Sequence, residues 1–333
     1  MRYHAVRSSF LARAVLRTAL LYWCVLSLTF ALLRLAPGDP TTFLLPPGAS
    51  AADVARARAQ FGLDRTVAVQ YARWVRTTLH GDLGESFAEH RPVHAVLAGA
   101  LPVSLALGGA SLMLSFLIGT GAGLLQAARH RSATDHVITV LSVVLVASPA
   151  FWLGLGAIAL FTYGAAMLNL PPWMRLPALG TSTPGSDLSG IAHVADVARH
   201  AVLPVALLAA IGAAGVARYA RMSALDLMRA DWLRTARAKG VGERRLLATH
   251  VLANLRAPLV TLFFLALPGG VAGSVFVESV FGWPGMGRLM VGAIVSRDYP
   301  VVLGCATTYA AVVLIANLAG ELLLPWADPR LAE

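Results

Sequence analysis

Six apolar runs, near 14–33, 101–126, 137–163, 200–220, 258–277 and 301–325, alternate with polar connections along the chain. Each run is close to the roughly 20 residues that carry a helix across hydrocarbon at about 1.5 Å per residue. Backbone groups in lipid must be paired within their own segment, so the pattern predicts six transmembrane helices and an all-α membrane protein. Glycines collect inside the runs, among them Gly119, Gly121 and Gly123 in the second and Gly212 and Gly215 in the fourth. Small faces of this kind let helix backbones approach closely.

The connections carry patterns of their own. In 34–100, PGDP at 37–40 ends the first helix. Residues 51–61 predict a short polar helix. Val67, Val69, Tyr71, Trp74, Val75 and Leu79 predict an amphipathic one over 66–79, and GDLGESF at 81–87 is turn-rich. Together they predict a small subdomain, 34–100, between the first two spans. Residues 170–199 are rich in Pro, Gly, Ser and Thr and predict a loop with little regular structure.

The connection at 221–256 differs from the rest. Leu225, Met228, Trp232, Thr235 and Ala236 share one face, which predicts a single helix over 223–239. Gly240 can take the left-handed conformation that ends a helix. Glu243 then falls in the first turn of a second helix, where its charge suits the dipole, and Leu246, Leu247 and Val251 continue it. The expected result is a short rigid helix lying across the membrane surface between two spans. A second reading of the same pattern is a basic amphipathic helix resting on anionic lipid.

Composition agrees with the bilayer. The chain is 57% hydrophobic and 13% charged, against roughly 45–50% and about 25% in soluble domains. The net charge of +10 would suggest nucleic acid in a soluble protein. Here the arginines gather between spans, so topology explains them and no nucleic-acid partner is expected. Arg2, Arg7, Arg13 and Arg17 precede the first run, and Arg129 and Arg131 lie in 127–136. Arg221, Arg229, Arg234, Arg237, Lys239, Arg244, Arg245 and Arg256 outnumber Asp226, Asp231 and Glu243 in 221–256. With six spans these sites share one side, giving an N-in, C-in orientation. The basic N-terminus and its apolar run read as a retained first span, not a cleaved signal.

Few residues offer chemistry. Cys24 and Cys305 fall in the first and last runs and read as small buried apolar residues. The histidines are scattered, with no HExxH and no Ser/His/Asp arrangement, and no GxxxxGK[ST] phosphate loop is present. A membrane-embedded enzyme is therefore disfavoured, and no metal or cofactor is expected in this chain. Arg34 and Glu321 sit near span ends and read as interfacial. That poverty of buried charge disfavours a proton-coupled transporter or channel, the alternative class that would work without an ATPase.

RTARAKGVGERRLLATHVLANLRAPLVT, within 234–261, closely resembles the cytoplasmic motif of ABC importer permeases of the branch serving dipeptides, oligopeptides and nickel. The general pattern there is Glu-Ala-Ala, three residues, then Gly. Arg234-Thr235-Ala236 stands at the first three positions and Gly240 at the glycine. The missing Glu is a departure common in the peptide branch, and Arg256 stands where an apolar residue is more usual. APGDP at 36–40, FGLDRTVAVQYARWV at 61–75, GDLGESF at 81–87 and SPAFWLG at 148–154 resemble the family too. So do the segment 278–304 and the terminal DPR at 328–330.

The resemblance implies the type I permease fold, in a multi-pass protein of the bacterial cytoplasmic (inner) membrane. A cytoplasmic tail and first span (1–33) would be followed by the extracytoplasmic subdomain (34–100). A transmembrane domain (101–325) and a short cytoplasmic C-terminal tail (326–333) would complete it. It also implies a second homologous permease in a heterodimer, two cytoplasmic ATPases that bind the ATP and Mg, and an extracytoplasmic solute-binding protein. Energy would then arrive mechanically at an ATPase-coupling site. Arg234, Thr235, Ala236 and Gly240 form its motif, with Ala236 and Gly240 packing closely at the turn. Glu243, Arg244 and Arg245 would make polar contacts with the ATPase. In 278–300, Trp283-Pro284-Gly285 predicts a stiff turn and Leu289–Val295 a half-span. Trp283, Pro284, Gly285 and Met286 are candidates for an outer gate or solute contact in a hairpin dipping toward the path; an interfacial tryptophan belt is the other reading.

Overall fold

The computed structural model describes residues 2–35, 45, 49–271 and 275–327, with side chains for 15–35, 45, 49–270 and 275–323. Among these, regular structure is helical, and one isolated antiparallel bridge joins Glu85 to Pro92. Helix α1 (Arg2–Leu35) is followed by the short α2 (Ala51–Gln60) and α3 (Val67–Leu79), then by α4 (Val93–Ala128). Next come α5 (Ala133–Ala147), α6 (Ala150–Met167) and α7 (Gly190–Met228). Then follow α8 (Asp231–Ala238), α9 (243–271), α10 (Val275–Val280), α11 (Met286–Val295) and α12 (Tyr299–Ala327).

Six of these, α1, α4, α6, α7, α9 and α12, are long and apolar enough to cross a membrane. Leu20, Leu28 and Leu32 of α1 and Met113 and Leu117 of α4 point outward and are exposed. Helices whose solvent is lipid have no cause to bury such groups. Cys305 is buried, but Cys24, expected to be buried, is exposed on α1.

Two spans and one connecting helix differ from the sequence pattern. The expected third span, 137–163, is two helices, because Ser148 is extended (φ −83°, ψ 137°) ahead of Pro149. A proline ring disfavours helical geometry in the residue before it. The crossing helix is α6, with one π-helical stretch at Ala159–Gly164. The expected 223–239 helix is also broken: α7 ends at Met228, and Ala230 is extended (φ −67°, ψ 141°) at the start of α8. The fifth span begins at 243 instead of near 258, so the second helix of the connection and the span are one continuous helix. Its Leu246–Val251 stretch is π-helical, a wider winding often found at functional sites.

The chain divides into two units, Met1–Val103 with Pro284–Leu318, and Ser104–Trp283 with Ala319–Glu333. In the first, Val93, Leu97 and Ala100 of α4 pack with Met286 and Ala293 of α11 and with Val301, Val302 and Cys305 of α12. Asp298, buried just before α12, ties this core to the 84–92 segment. Its Oδ2 accepts from Ser86 Oγ at 2.5 Å and from Ala88 N at 3.1 Å, and its Oδ1 accepts from Val301 N at 3.4 Å as an N-cap. In the second unit, α4 lies against α7 with the backbones touching. A Cβ on Gly119 would stand 2.7 Å from Ala213 O, and one on Gly123 2.6 Å from Ala217 O. Neither position has room for a larger side chain.

Candidate functional site

The α7–α8–α9 connection is anchored by apolar side chains. Leu233 of α8 and Leu246, Val251 and Leu255 of α9 are buried with Ala224 of α7 and Ala127 of α4. Leu124, Met228, Ala236 and Val241 pack around them. This explains the break after Met228: an unbroken helix would carry Leu233 past the end of the bundle, whereas the bend turns it inward. Tertiary packing here overrides local helix propensity.

The turn after α8 is a Schellman motif. Val241 N donates to Ala236 O at 3.2 Å and Gly240 N to Arg237 O at 2.9 Å, with Ala236 and Val241 in the same apolar cluster. Gly240 is left-handed, at φ 83°, and no atom lies within 4 Å of where its Cβ would be. The glycine is therefore required by conformation, and the close packing expected at this position is absent within the chain. Arg237 spans the turn: its Nε donates to Glu243 Oε1 at 2.7 Å and its Nη2 to Oε2 at 3.5 Å. Glu243, expected to reach outward, is thus held by its own chain.

The opposite face is open. Arg234, Thr235, Lys239, Gly240, Glu243, Arg244 and Arg245 are exposed, and Ala236 is half-buried between that face and the cluster. Arg234 pairs loosely with Asp231 at 3.4 Å, and Thr235 Oγ1 donates to Asp231 O at 3.0 Å. Lys239, Arg244 and Arg245 have no acidic partner among the described residues. The structure therefore brings all seven sequence-predicted residues to one end of the second unit. What they form is an exposed, mainly cationic knob, able to seat in a complementary groove. Among the described residues no group of three His, Cys, Asp or Glu could hold a metal.

Two polar pairs in this unit, each with a buried carboxylate, escaped the sequence pattern. Asp135, at the start of α5, accepts from Arg221 Nε at 2.7 Å and Arg221 Nη2 at 2.8 Å. It also accepts from Gln126 Nε2 at 3.2 Å and Arg131 N at 3.0 Å. The Arg221 guanidinium holds the Asp135 carboxyl well below the usual carboxylate range, against the opposing effect of burial. The second pair is Glu278 of α10, buried, whose Oε1 accepts from Ser104 Oγ at 2.7 Å. Sequence spacing hides both, since their partners lie far apart along the chain.

The four gate candidates fall on both sides of the boundary between the units, which lies between Trp283 and Pro284. In the second unit Trp283 is buried. Its N donates to Glu278 O at 2.8 Å and its indole Nε1 has no acceptor. In the first unit Gly285 and Met286 are buried and only Pro284 is exposed. The expected half-span is α11, ten residues long. Pro284, Gly285, Leu289 and the exposed Arg288 line a cavity of about 470 Å³ with Ala95 and Gly99 of α4. Arg288 was not singled out from the sequence; its charge within an otherwise apolar half-span was the available signal.

Residues 119–333 match the family described as the binding-protein-dependent transport system inner membrane component, and residues 7–108 match the N-terminal part of such membrane components. The chain is 34% identical over 305 residues to the oligopeptide transport system permease protein AppB of Bacillus subtilis (91% of this chain, 93% of the relative). It is 36% identical over 318 residues to the probable D,D-dipeptide transport system permease protein DdpB of Escherichia coli K12 (93% of each). It is 33% identical over 339 residues to the di/tripeptide transport system permease protein DppB of Pseudomonas aeruginosa (97% and 98%).

Proposed function

Because the chain belongs to the binding-protein-dependent transport system inner membrane component family, we propose that it forms half of a peptide path worked by separate ATPases through the α8–Gly240–α9 turn. The chain is a multi-pass inner-membrane permease component of an ABC-type importer. The observation that carries the coupling reading is the exposed cationic knob with its buried anchors, Leu233 and Leu246. It is attached directly to two crossing helices, α7 and α9, so a displacement of the knob is a displacement of both. Seating it in an ATPase groove and moving it with ATPase closure would bias the spans between two rigid arrangements.

In this reading the knob, both termini and the 127–136 connection face the cytoplasm, in keeping with the crowding of arginine there. ATP and Mg are held by the two ATPases, and this chain performs no hydrolysis of its own. A second homologous permease completes the path, and an extracytoplasmic solute-binding protein delivers the solute. A peptide cargo is supported by the relatives, named as permeases of an oligopeptide, a probable D,D-dipeptide and a di/tripeptide transport system.

Reconstitution tests the reading. Proteoliposomes holding this chain, its second permease and the ATPases, supplied with the binding protein, should accumulate labelled di- or tripeptide only when ATP is present on the ATPase side. Uphill uptake by the purified chain alone would overturn it in favour of a secondary transporter.

A further inference from the structure

In the first unit, a cleft of about 540 Å³ opens beside the end of α1, walled by Phe30, Trp74 and Tyr299 and carrying Arg34 and Arg73. Arg34 is half-buried, with its guanidinium carbon 5.1 Å from the Phe30 ring centre and 5.5 Å from that of Tyr299. Two aromatic faces hold it in place without neutralising it. Among the described residues neither Arg34 nor Arg73 has a carboxylate partner. Gln70, on the same wall, has a buried side-chain oxygen with no donor. The lining also carries Arg65, Glu85 and Asp82, whose Oδ1 accepts from Gly84 N at 2.9 Å.

The depth of the cleft is set by its walls. Arg34 stands in the last turn of the crossing segment Val15–Leu35, so it lies where hydrocarbon gives way to headgroups. Helix α3 is strapped to α1 at that level: Tyr71 OH and Ser27 Oγ are 2.6 Å apart, and Phe30 meets Trp74 with ring centres 5.4 Å apart. Val67, Val69 and Leu79 of α3 remain exposed. Tryptophan and tyrosine concentrate at this boundary.

We propose that this cleft binds the headgroup of an ethanolamine phospholipid, with its phosphodiester on Arg34 and Arg73 and its ammonium toward Asp82 and Glu85. Guanidinium groups match phosphate oxygens in a two-pronged geometry. The mixed signs of the lining fit a zwitterionic group better than a simple anion. The cleft shares no lining residue with Trp283–Met286 or with the 234–245 knob.

The test uses the purified full chain in detergent and native mass spectrometry with short-chain phosphatidylethanolamine as probe. One lipid should be retained, and Arg34→Gln or Arg73→Gln should weaken retention at least tenfold, while Arg76→Gln, on α3 but outside the cleft, leaves it unchanged. Should Arg34→Gln fail to fold, Arg73→Gln, an exposed position, carries the comparison. Equal retention of diacylglycerol, which lacks the phosphate, or undiminished retention by the foldable arginine variants, would overturn the proposal. Glycerophosphoethanolamine binding as tightly as the lipid would also overturn it, leaving a site for soluble phosphodiesters.

Discussion

Arg237 closes on Glu243 across the Gly240 turn, Nε to Oε1 at 2.7 Å, so the angle between α8 and α9 is fixed by a side-chain pair as well as by backbone. The pair is well exposed, and exposed pairs contribute at most about 1 kcal/mol to stability. Its consequence is therefore mechanical. Arg237→Gln or Glu243→Gln should leave thermal stability nearly unchanged and lower uptake per ATP hydrolysed several-fold. The exchanged pair Arg237→Glu with Glu243→Arg should recover part of it. The paired readings of proteoliposome uptake and ATP hydrolysis check this.

Gly240 is left-handed and faces open space, which separates conformation from crowding. A branched residue in that conformation costs about 1–2 kcal/mol, whereas Asn tolerates it. Gly240→Asn should keep ATPase co-purification near wild type and Gly240→Val should reduce it. Gly240→Asp, which adds an anion to a cationic face, should reduce both co-purification and uptake while membrane insertion stays intact.

Leu233 and Leu246 fasten the knob to the bundle, each fully buried. Truncating a buried leucine to alanine costs about 2–5 kcal/mol. Leu233→Ala should lower the melting temperature in detergent and uncouple ATP hydrolysis from uptake. The exposed Thr235→Ala should leave the melting temperature nearly unchanged.

Asp135, buried, is paired with the half-buried Arg221. Removing one partner of a buried pair strands the other, at about 3–5 kcal/mol. Arg221→Leu and Asp135→Ala should each destabilise strongly, and the double variant should lose less than the sum. A double-mutant cycle of thermal melts measures the coupling.

The crossings were legible because length and apolarity decide them, and bilayer thickness leaves little freedom. The break at Ser148–Pro149 was hidden by the unbroken apolar run around it, although the proline itself was visible. The break after Met228 was not legible, since it exists to turn Leu233 into a cluster built from four helices. Gly240 was read correctly as a helix end. Its neighbour Arg237 was passed over because a staple across a turn depends on the turn's geometry, which spacing does not give. Asp135–Arg221 and Ser104–Glu278 depend on tertiary contact alone.

The proposed coupling needs a separate motor to grip the chain at this knob from inside the cell. Lys239 is the chain's only lysine and is exposed at that turn. Its modification by a membrane-impermeant amine reagent, located by peptide mass mapping, tests the claim most directly. Lys239 should be labelled in inverted vesicles stripped of ATPase, strongly protected when the ATPases are restored, and unlabelled in right-side-out vesicles. Labelling of Lys239 from the outside, or labelling indifferent to the bound ATPases, would contradict it.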